Sequence, residues 1–389
     1  MKLNLNDFPY LTEEHRLIRQ TARDFAEREI KPVAAELDAK EEFSYDLTKK
    51  LGEMGFLGIT VPVEYGGQGM DYISYIIIVE ELARIDSSQA ATVAAHNSLG
   101  TGPIINFGTE EQKKKYLPKI STGEGLWAFG LTEPTAGSDS RGSKTTAKLE
   151  NGFWTINGSK TFITNGSNKL NLGATVQAVS GVNENGKKEF STILVDADTP
   201  GFIRKKLSNK LMWRASDTSE LFFNDVKVPE ENLLGKRGEG SKIMLSTLDS
   251  GRLSIGAMGL GLAQGAFELA LNYAKERKQF GRYLSDFEAI QFYIAEMATK
   301  IEAARNLLYR ATWLKVKKRP FSIEAAMAKY YCSEVAKEVA DLGVQIHGGY
   351  GLMKDYDIER FYRDQRLLQI GEGTSEIQKI VISRSLIRD

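Results

Sequence analysis

Phe153-Trp154-Thr155-Ile156, Asn157-Gly158 and Thr161-Phe162-Ile163-Thr164 lie together at the centre of the chain, two β-branched and aromatic runs around a turn dipeptide. Asn-Gly accepts the left-handed backbone of a type I′ turn, so the stretch predicts two strands joined by a tight hairpin. The dipeptide recurs at Asn151-Gly152 and Asn165-Gly166, where hairpins are again favoured. Ser191-Thr192-Ile193-Leu194-Val195 and Leu221-Phe222-Phe223 supply further strand candidates. This texture runs over about residues 126–234 and predicts a compact, mostly antiparallel sheet domain.

On the N-terminal side the pattern turns helical. Thr12 is a candidate N-cap with Glu13 and Glu14 in the first turn, and Ile18, Ala22 and Phe25 follow at helical spacing. Pro62, Gly66-Gly67 and Pro103 punctuate the joins between helices. On the C-terminal side Ile290, Ile294, Met297, Ile301, Ala304, Leu308 and Ala311 alternate steps of four and three. Ala325, Ala328, Cys332, Val335, Val339 and Leu342 repeat that period. Such stripes need partner helices, which predicts an antiparallel bundle with Cys332 in its core. The expected division is a helical domain over residues 1–125, a β domain over 126–236 and a helical bundle domain over 237–389: a multidomain α+β chain.

Composition removes whole classes of function. The 389 residues carry 51 basic and 51 acidic side chains, interspersed, so no strongly basic surface for nucleic acid is expected. One cysteine excludes an intrachain disulfide and a cysteine-cluster metal site, and His15, His96 and His347 lie too far apart for a zinc motif. No metal is expected. The longest apolar run, Ile76-Ile77-Ile78-Val79, is far short of the ~20 residues that span a bilayer. Met1-Lys2-Leu3-Asn4 leads into acidic, helix-like sequence rather than a signal or transit segment, so a cytoplasmic, reducing location is expected.

Nucleotide signatures fail. Gly235-Lys236 is not followed by Ser or Thr, and Gly259-Leu260-Gly261 has Gln264 where a third glycine would stand, inside a helical pattern that favours close helix packing. Three other segments can carry chemistry. Phe129-Gly130-Leu131-Thr132-Glu133-Pro134-Thr135-Ala136-Gly137-Ser138-Asp139 is dense in hydroxyls and small residues; it is either a turn or a surface whose amides approach an acceptor-rich ring or phosphate. Gln345-Ile346-His347-Gly348-Gly349 is either a glycine helix cap or a set of amides for a pyrophosphate or adenine. In Gly371-Glu372-Gly373-Thr374, a lone carboxylate between glycines is either a surface turn or a general base crowded against a substrate.

Together these segments resemble the acyl-CoA dehydrogenase flavoprotein family, nearest its short-chain, butyryl-CoA branch. Both signature stretches match, at residues 130–142 and 345–364, as do Phe162-Ile163-Thr164-Asn165-Gly166, Glu276-Arg277-Lys278-Gln279-Phe280-Gly281 and Glu372-Gly373-Thr374. The likeness covers essentially the whole chain. It implies the family's fold: an N-terminal helical domain, a middle antiparallel β-barrel or sandwich-like domain and a C-terminal four-helix bundle.

The resemblance also implies FAD between the β domain and the bundle. Phe129, Leu131, Thr132, Ser138, Phe162 and Thr164 would surround the isoalloxazine, and Thr374 and Glu376 match further FAD-contact positions. Arg277, Gln279 and Phe280, then Gln345, Gly348 and Gly349, would hold the adenine and pyrophosphate end from a neighbouring subunit, which needs at least a dimer; the family is usually tetrameric. Glu372 would remove the α-proton of an acyl-CoA while the β-hydrogen leaves as hydride to flavin N5. Its backbone N–H and an FAD ribityl hydroxyl would stabilise enolate-like charge, and burial would raise its pKa towards working pH. Ser138, Asp249, Arg252 and Gly373 would contact the CoA thioester, and the electrons would pass to an electron-transfer flavoprotein.

Some relatives carry the base at the position of Gly251, which here has no side chain, leaving Glu372 as the matching carboxylate. Two further departures stand out. Gly371 replaces a tyrosine common before the base, which should widen the acyl pocket or admit a bulkier, branched or cyclic chain, and Glu288 replaces a cofactor-contacting glutamine. His96 falls in a stretch that lines the acyl pocket of relatives, and a buried, satisfied histidine is expected there. Two rival readings remain: a flavin oxidase or monooxygenase on the same fold, and a catalytically silent helical-bundle interaction protein.

Overall fold

The computed structural model describes residues 11–182 and 184–387; the Met1-Lys2-Leu3-Asn4 stretch lies outside them. Seven helices form the first layer: α1 (Glu13–Phe25), α2 (Lys31–Lys40), α3 (Tyr45–Glu53), α4 (Tyr72–Ala83), α5 (Ser87–Ala95), α6 (Gly102–Phe107) and α7 (Glu110–Ser121). Thr12 caps α1 as expected, its hydroxyl accepting from the His15 N–H. α4 is rich in apolar residues and buried along almost its whole length, its Glu80 and Glu81 included.

Eight strands follow: β1 (Leu126–Gly130), β2 (Thr146–Glu150), β3 (Phe153–Thr164), β4 (Asn171–Val182), β5 (Lys188–Asp196), β6 (Phe202–Lys206), β7 (Thr218–Pro229) and β8 (Leu233–Leu234). They order as β6-β7-β3-β2-β4-β5-β8, with β1 beside β4. Pairing is antiparallel except where β4 meets β1 and β2. Trp154, Ile156, Val176, Ile193 and Val226 fill the sheet's core.

Of the Asn-Gly dipeptides at 151–152, 157–158 and 165–166, one makes the expected hairpin; a further one, Asn185-Gly186, lies between the antiparallel neighbours β4 and β5. Asn151 (φ 52°) and Gly152 (φ 78°) turn β2 into β3 in left-handed conformations. Asn157-Gly158, expected as a turn, lies inside the continuous β3. Pairing with the full length of β7 overrides the local turn preference, and the register shifts at Gly158 instead. Its φ of 143° and the Thr145 Oγ1 only 2.5 Å from where a Cβ would stand explain the glycine. Asn165-Gly166 ends β3 without a hairpin, because the next strand, β4, is not β3's neighbour; the Asn165 side chain donates to the Thr92 carbonyl of α5 instead.

The C-terminal layer holds α8 (Gly240–Glu276), the short β9 (Lys278–Gln279) and β10 (Arg282–Tyr283) ribbon, α9 (Glu288–Val316), α10 (Ser322–His347), α11 (Ile358–Asp364) and α12 (Ser375–Ile387). Both predicted stripes face the core, buried over Met297 to Ala311 and over Ala325 to Val339 with Cys332 completely so, while Ile290, Ile294 and Leu342 are half-buried. α8 is long and apolar enough to cross a membrane, but 78% of that apolar window is buried among the other helices. Gly259 and Gly261 are helix-packing glycines: a Cβ at Gly259 would sit 2.9 Å from the Cys332 carbonyl, and one at Gly261 would collide with the Glu80 carbonyl of α4.

Between these helices lies a fully buried charge cluster. Glu80 of α4 receives Arg19, Arg305 and the Tyr309 hydroxyl, the last at 2.5 Å. Burial alone would raise its pKa, but the two guanidinium groups overcome that and hold it well below the usual carboxylate range.

Candidate active site

The last turn of the chain before α12 is built to aim one carboxylate. After α11 the backbone passes through a tight turn, and Gly371 N–H donates to the Leu367 carbonyl at 2.8 Å. Glu372 then takes a left-handed φ of 52° and Gly373 one of 92°. A non-glycine residue there stores strain that its surroundings must hold in place. They do: Gln378 Nε2 donates to the Gly373 carbonyl at 2.9 Å and to that of Glu372 at 3.3 Å, and Lys329 Nζ donates to Gly373 at 2.7 Å.

The Glu372 side chain points into a cavity of about 720 Å³ where the helical and sheet layers meet. Its Oε2 is shielded from solvent and has no hydrogen-bond partner among the described residues. Burial pushes its pKa up to about 7, with Lys329 and then Arg252 holding the rise in check. A carboxyl poised there accepts a proton readily near neutral pH. The oxygen packs directly on Gly251, where any Cβ would overlap it.

The sheet side is equally constrained. Glu133 accepts from the Lys144 and Thr145 N–H groups at 2.7 and 3.0 Å and from the buried Lys160 Nζ at 2.8 Å, while Lys160 also donates to the Leu131 carbonyl. Thr161 N–H donates to the Thr132 carbonyl at 2.9 Å, tying the 129–139 loop to β3. The following residue, Phe162, is 71% exposed on a left-handed backbone (φ 59°) at the cavity's edge.

Of the residues singled out from sequence, Phe129, Leu131, Thr132, Ser138, Phe162 and Thr164 line this cavity together with Arg252, Glu372, Gly373 and Thr374. Asp249 stands just behind, paired with Arg252 and accepting from Ser322 Oγ at 3.0 Å. Arg277, Gln279 and Phe280 lie elsewhere, on and beside the exposed β9–β10 ribbon, and Phe280 is 93% exposed. Gln345, Gly348 and Gly349 sit at the far, exposed end of α10, where Gly348 also caps the helix; Glu376 and Glu288 face outward at the starts of α12 and α9. Within one chain these do not reach the cavity.

His96 is buried and satisfied: its Nε2 pairs with the Ile120 carbonyl at 2.7 Å and its Nδ1 accepts from Trp127 N–H, and burial lowers its pKa to about 4. His15 caps α1 and contacts Asp71, and His347 stacks on Tyr273. Among the described residues no group of three or more His, Cys, Asp or Glu is placed to hold a metal ion.

Two contributors escaped the sequence reading. Trp213 lines the cavity on a left-handed φ of 47°, its backbone N–H donating to Asp364 Oδ1 at 2.8 Å. Lys329, fully buried, hides among the small residues of the α10 stripe. No local pattern marks either; a lysine inside an apolar stripe is the one available signal.

Known proteins match this chain from end to end. Family models described as the N-terminal, middle and C-terminal domains of acyl-CoA dehydrogenase match residues 12–124, 128–226 and 238–387. The short-chain specific acyl-CoA dehydrogenase of Clostridium acetobutylicum is 46% identical, over 97% of this chain and 99% of its own length. The structure of butyryl-CoA dehydrogenase from Megasphaera elsdenii superposes with a TM-score of 0.94 at 42% identity, covering 98% of this chain and 100% of its own. A chain from the structural work on the electron transferring flavoprotein of Acidaminococcus fermentans, and on flavin-based electron bifurcation, gives a TM-score of 0.94 at 47% identity, covering 97% and 99%. Solved members of this group are complexed with FAD or FADH2. The chain therefore belongs to the acyl-CoA dehydrogenase family, FAD-using oxidoreductases that act on CH–CH bonds.

Proposed function

We propose that this protein removes hydrogen across the α,β-bond of a short acyl-CoA, giving the 2-enoyl-CoA, with Glu372 as the base. The observation that carries the reading is the shielded, unpartnered Glu372 oxygen in a cavity large enough for a ligand. A structural carboxylate buried to that degree would have a partner.

The residues fit a flavin. Phe129 and Leu131 offer apolar contact to a ring face, and the hydroxyls of Thr132, Ser138 and Thr164 offer donors to its acceptor-rich edge. FAD, when bound, supplies the acceptor for a hydride from the substrate's β-carbon. The chain supplies the rest. Glu372 takes the α-proton on its carboxylate, and its own backbone N–H donates to the thioester oxygen, stabilising the charge that develops there. Ser138, Arg252 and Gly373 position the thioester, with Asp249 orienting Arg252. Thr374 adds a cofactor contact at the head of α12, and the outward-facing Glu376 would meet the part of the FAD that extends beyond the cavity.

The exposed Arg277, Gln279 and Phe280, with Gln345, Gly348 and Gly349, hold the adenine and pyrophosphate of a cofactor bound to a second copy, so the working unit is at least a dimer and, by family likeness, a tetramer. The acyl end is lined by Leu99, Leu248, Ile255 and Met258, which suits a short apolar chain, and the bare Gly371 leaves room for a branch or ring. Electrons pass on to an electron-transfer flavoprotein, in keeping with the Acidaminococcus relative.

The test is anaerobic bleaching of the flavin by straight, branched, cyclic and dicarboxylic acyl-CoAs. Glu372→Gln should keep the flavin and lose about 10²–10⁴-fold in its rate of reduction. Slow reoxidation in air separates the dehydrogenase from an oxidase or monooxygenase. A colourless protein that takes up no FAD would overturn the proposal in favour of a silent interaction protein.

A further inference from the structure

Lys329 is an ammonium with no exposure to solvent, an expensive placement that needs compensation. The one hydrogen-bond acceptor found for it among the described residues is the Gly373 carbonyl, 2.7 Å away, on the residue next to Glu372. Its helix grips the same turn again one step on: Ser333 Oγ donates to the Leu368 carbonyl at 2.9 Å, and Gln369 Nε2 returns a bond to the Ser333 carbonyl at 2.8 Å. Gln378 approaches Gly373 from α12. The turn that aims Glu372 is thus clamped from two helices, and one clamp carries a positive charge.

Ammonium and carboxyl are each underused. Lys329 has one acceptor for three N–H groups, and Glu372 Oε2 has none. We propose that Lys329 is a positioning residue for the base, its ammonium fixing the Gly373 carbonyl and keeping the neighbouring Glu372 ionised where an apolar cavity would otherwise neutralise it. This rests on Glu372 being the base.

The electrostatics agree in both directions. Burial lowers the Lys329 pKa to about 8 against the opposing pull of Glu372, and Lys329 is the largest influence restraining the rise at Glu372. The other groups facing Glu372 are Arg252 of α8, itself paired with Asp249, and the hydroxyls of Tyr72 and Tyr75 on α4; Glu334 and Glu376 face Lys329. Tyr72 and Tyr75 are buried phenols with raised pKa values and stay neutral, so Arg252 and Lys329 are the cations that act on the base.

The experiment is the pH dependence of flavin reduction by butyryl-CoA in the FAD-loaded enzyme, for the wild type, Lys329→Met and Lys329→Arg. The expected result is that Lys329→Met moves the acid limb up by about one pH unit or more while KM stays within about threefold, and that Lys329→Arg returns the limb towards its wild-type position. An equal loss at every pH, with the limb in place, would reduce Lys329 to a structural peg and overturn the proposal. Should Lys329→Met fail to fold, the reciprocal measurement decides: with 13C-labelled lysine, Glu372→Gln should shift one low-titrating lysine resonance to lower pH, and no shift overturns it. If Glu372→Gln instead reduces flavin at the wild-type rate, the base assignment itself has failed.

Discussion

Glu80, buried among helices, and Glu372, aimed into the cavity between helices and sheet, are both carboxylates with shielded oxygens, and the chain treats them in opposite ways. Glu80 is saturated: two guanidinium groups and a phenol meet it, and its charge is permanent. Glu372 is starved: one oxygen has no partner, the cations near it are not bonded to it, and its charge is marginal near neutral pH. A fully paired buried charge ties helices together; an unpaired one is stored reactivity.

Exchanging each for its amide should therefore have crossed effects, and these are the largest expected. Glu80→Gln leaves Arg19 and Arg305 short of a counter-charge, which should destabilise the fold by about 3–5 kcal/mol, read by denaturant melting. Glu372→Gln should be neutral or stabilising above pH 7, because there it removes a buried charge, while slowing flavin reduction by about 10²–10⁴-fold.

The pH dependences should cross as well. The folded-state pKa of Glu80 is depressed, so its contribution is complete above the ordinary value near 4.5 and is lost as pH falls below it. That of Glu372 is raised, so the native state is favoured by its protonation: this contribution is present below 4.5 and lost as pH rises through about 7, the same interval in which the proposed base would become active. Activity should thus fade reversibly between about pH 8 and 6 while the melting temperature does not fall. A loss of activity that tracks unfolding would break the contrast.

Glu372 could be singled out in the sequence and Glu80 could not, for a physical reason. Glycines on both sides of a carboxylate announce a sharp turn, at the surface or against a substrate, and the family likeness favoured the second; the left-handed φ at Glu372 and Gly373 is that turn. Glu80 looks like any polar residue on a helix, because its partners come from α1 and α9, far away in sequence. The same divide explains Lys329 and Trp213, whose roles arise from tertiary packing. The helical and sheet zones were legible from periodicity and turn chemistry, yet Asn157-Gly158 shows the limit: the dipeptide advertises local backbone freedom, and the long partner strand β7 used it for a bulge in place of a reversal. The residues proposed for the adenine end were named only through family likeness, since on the exposed β9–β10 ribbon and at the end of α10 they lie away from the cavity in the described chain.

Gly251→Ala sharpens the contrast with less effect. A methyl there would overlap the unpartnered Glu372 oxygen and meet Leu99 at 3.2 Å, so the carboxylate must swing away. A displacement of about 1 Å should lower the rate of reduction by about 10²-fold with the fold and flavin content intact, since reactivity depends on alignment. The equivalent intrusion beside Glu80, at Gly261, meets backbone in place of a free oxygen and should appear as lost stability.

The smallest expected effect concerns Gly371, the neighbour of the proposed base, whose lack of a side chain leaves room around it. Its φ is not left-handed, and a Cβ would meet Leu367 only at ordinary contact distance, 3.5 Å, so a side chain is admissible without strain. Gly371→Tyr should therefore fold and keep Glu372 in place. Filling the space beside the acyl chain should lower kcat/KM for a branched or cyclic acyl-CoA by about tenfold relative to butyryl-CoA, the scale on which an apolar pocket discriminates shape. If the ratio does not move, the acyl chain lies along Leu99, Leu248 and Ile255 without touching position 371, and the selectivity of the pocket belongs to α8 and the turn after α5.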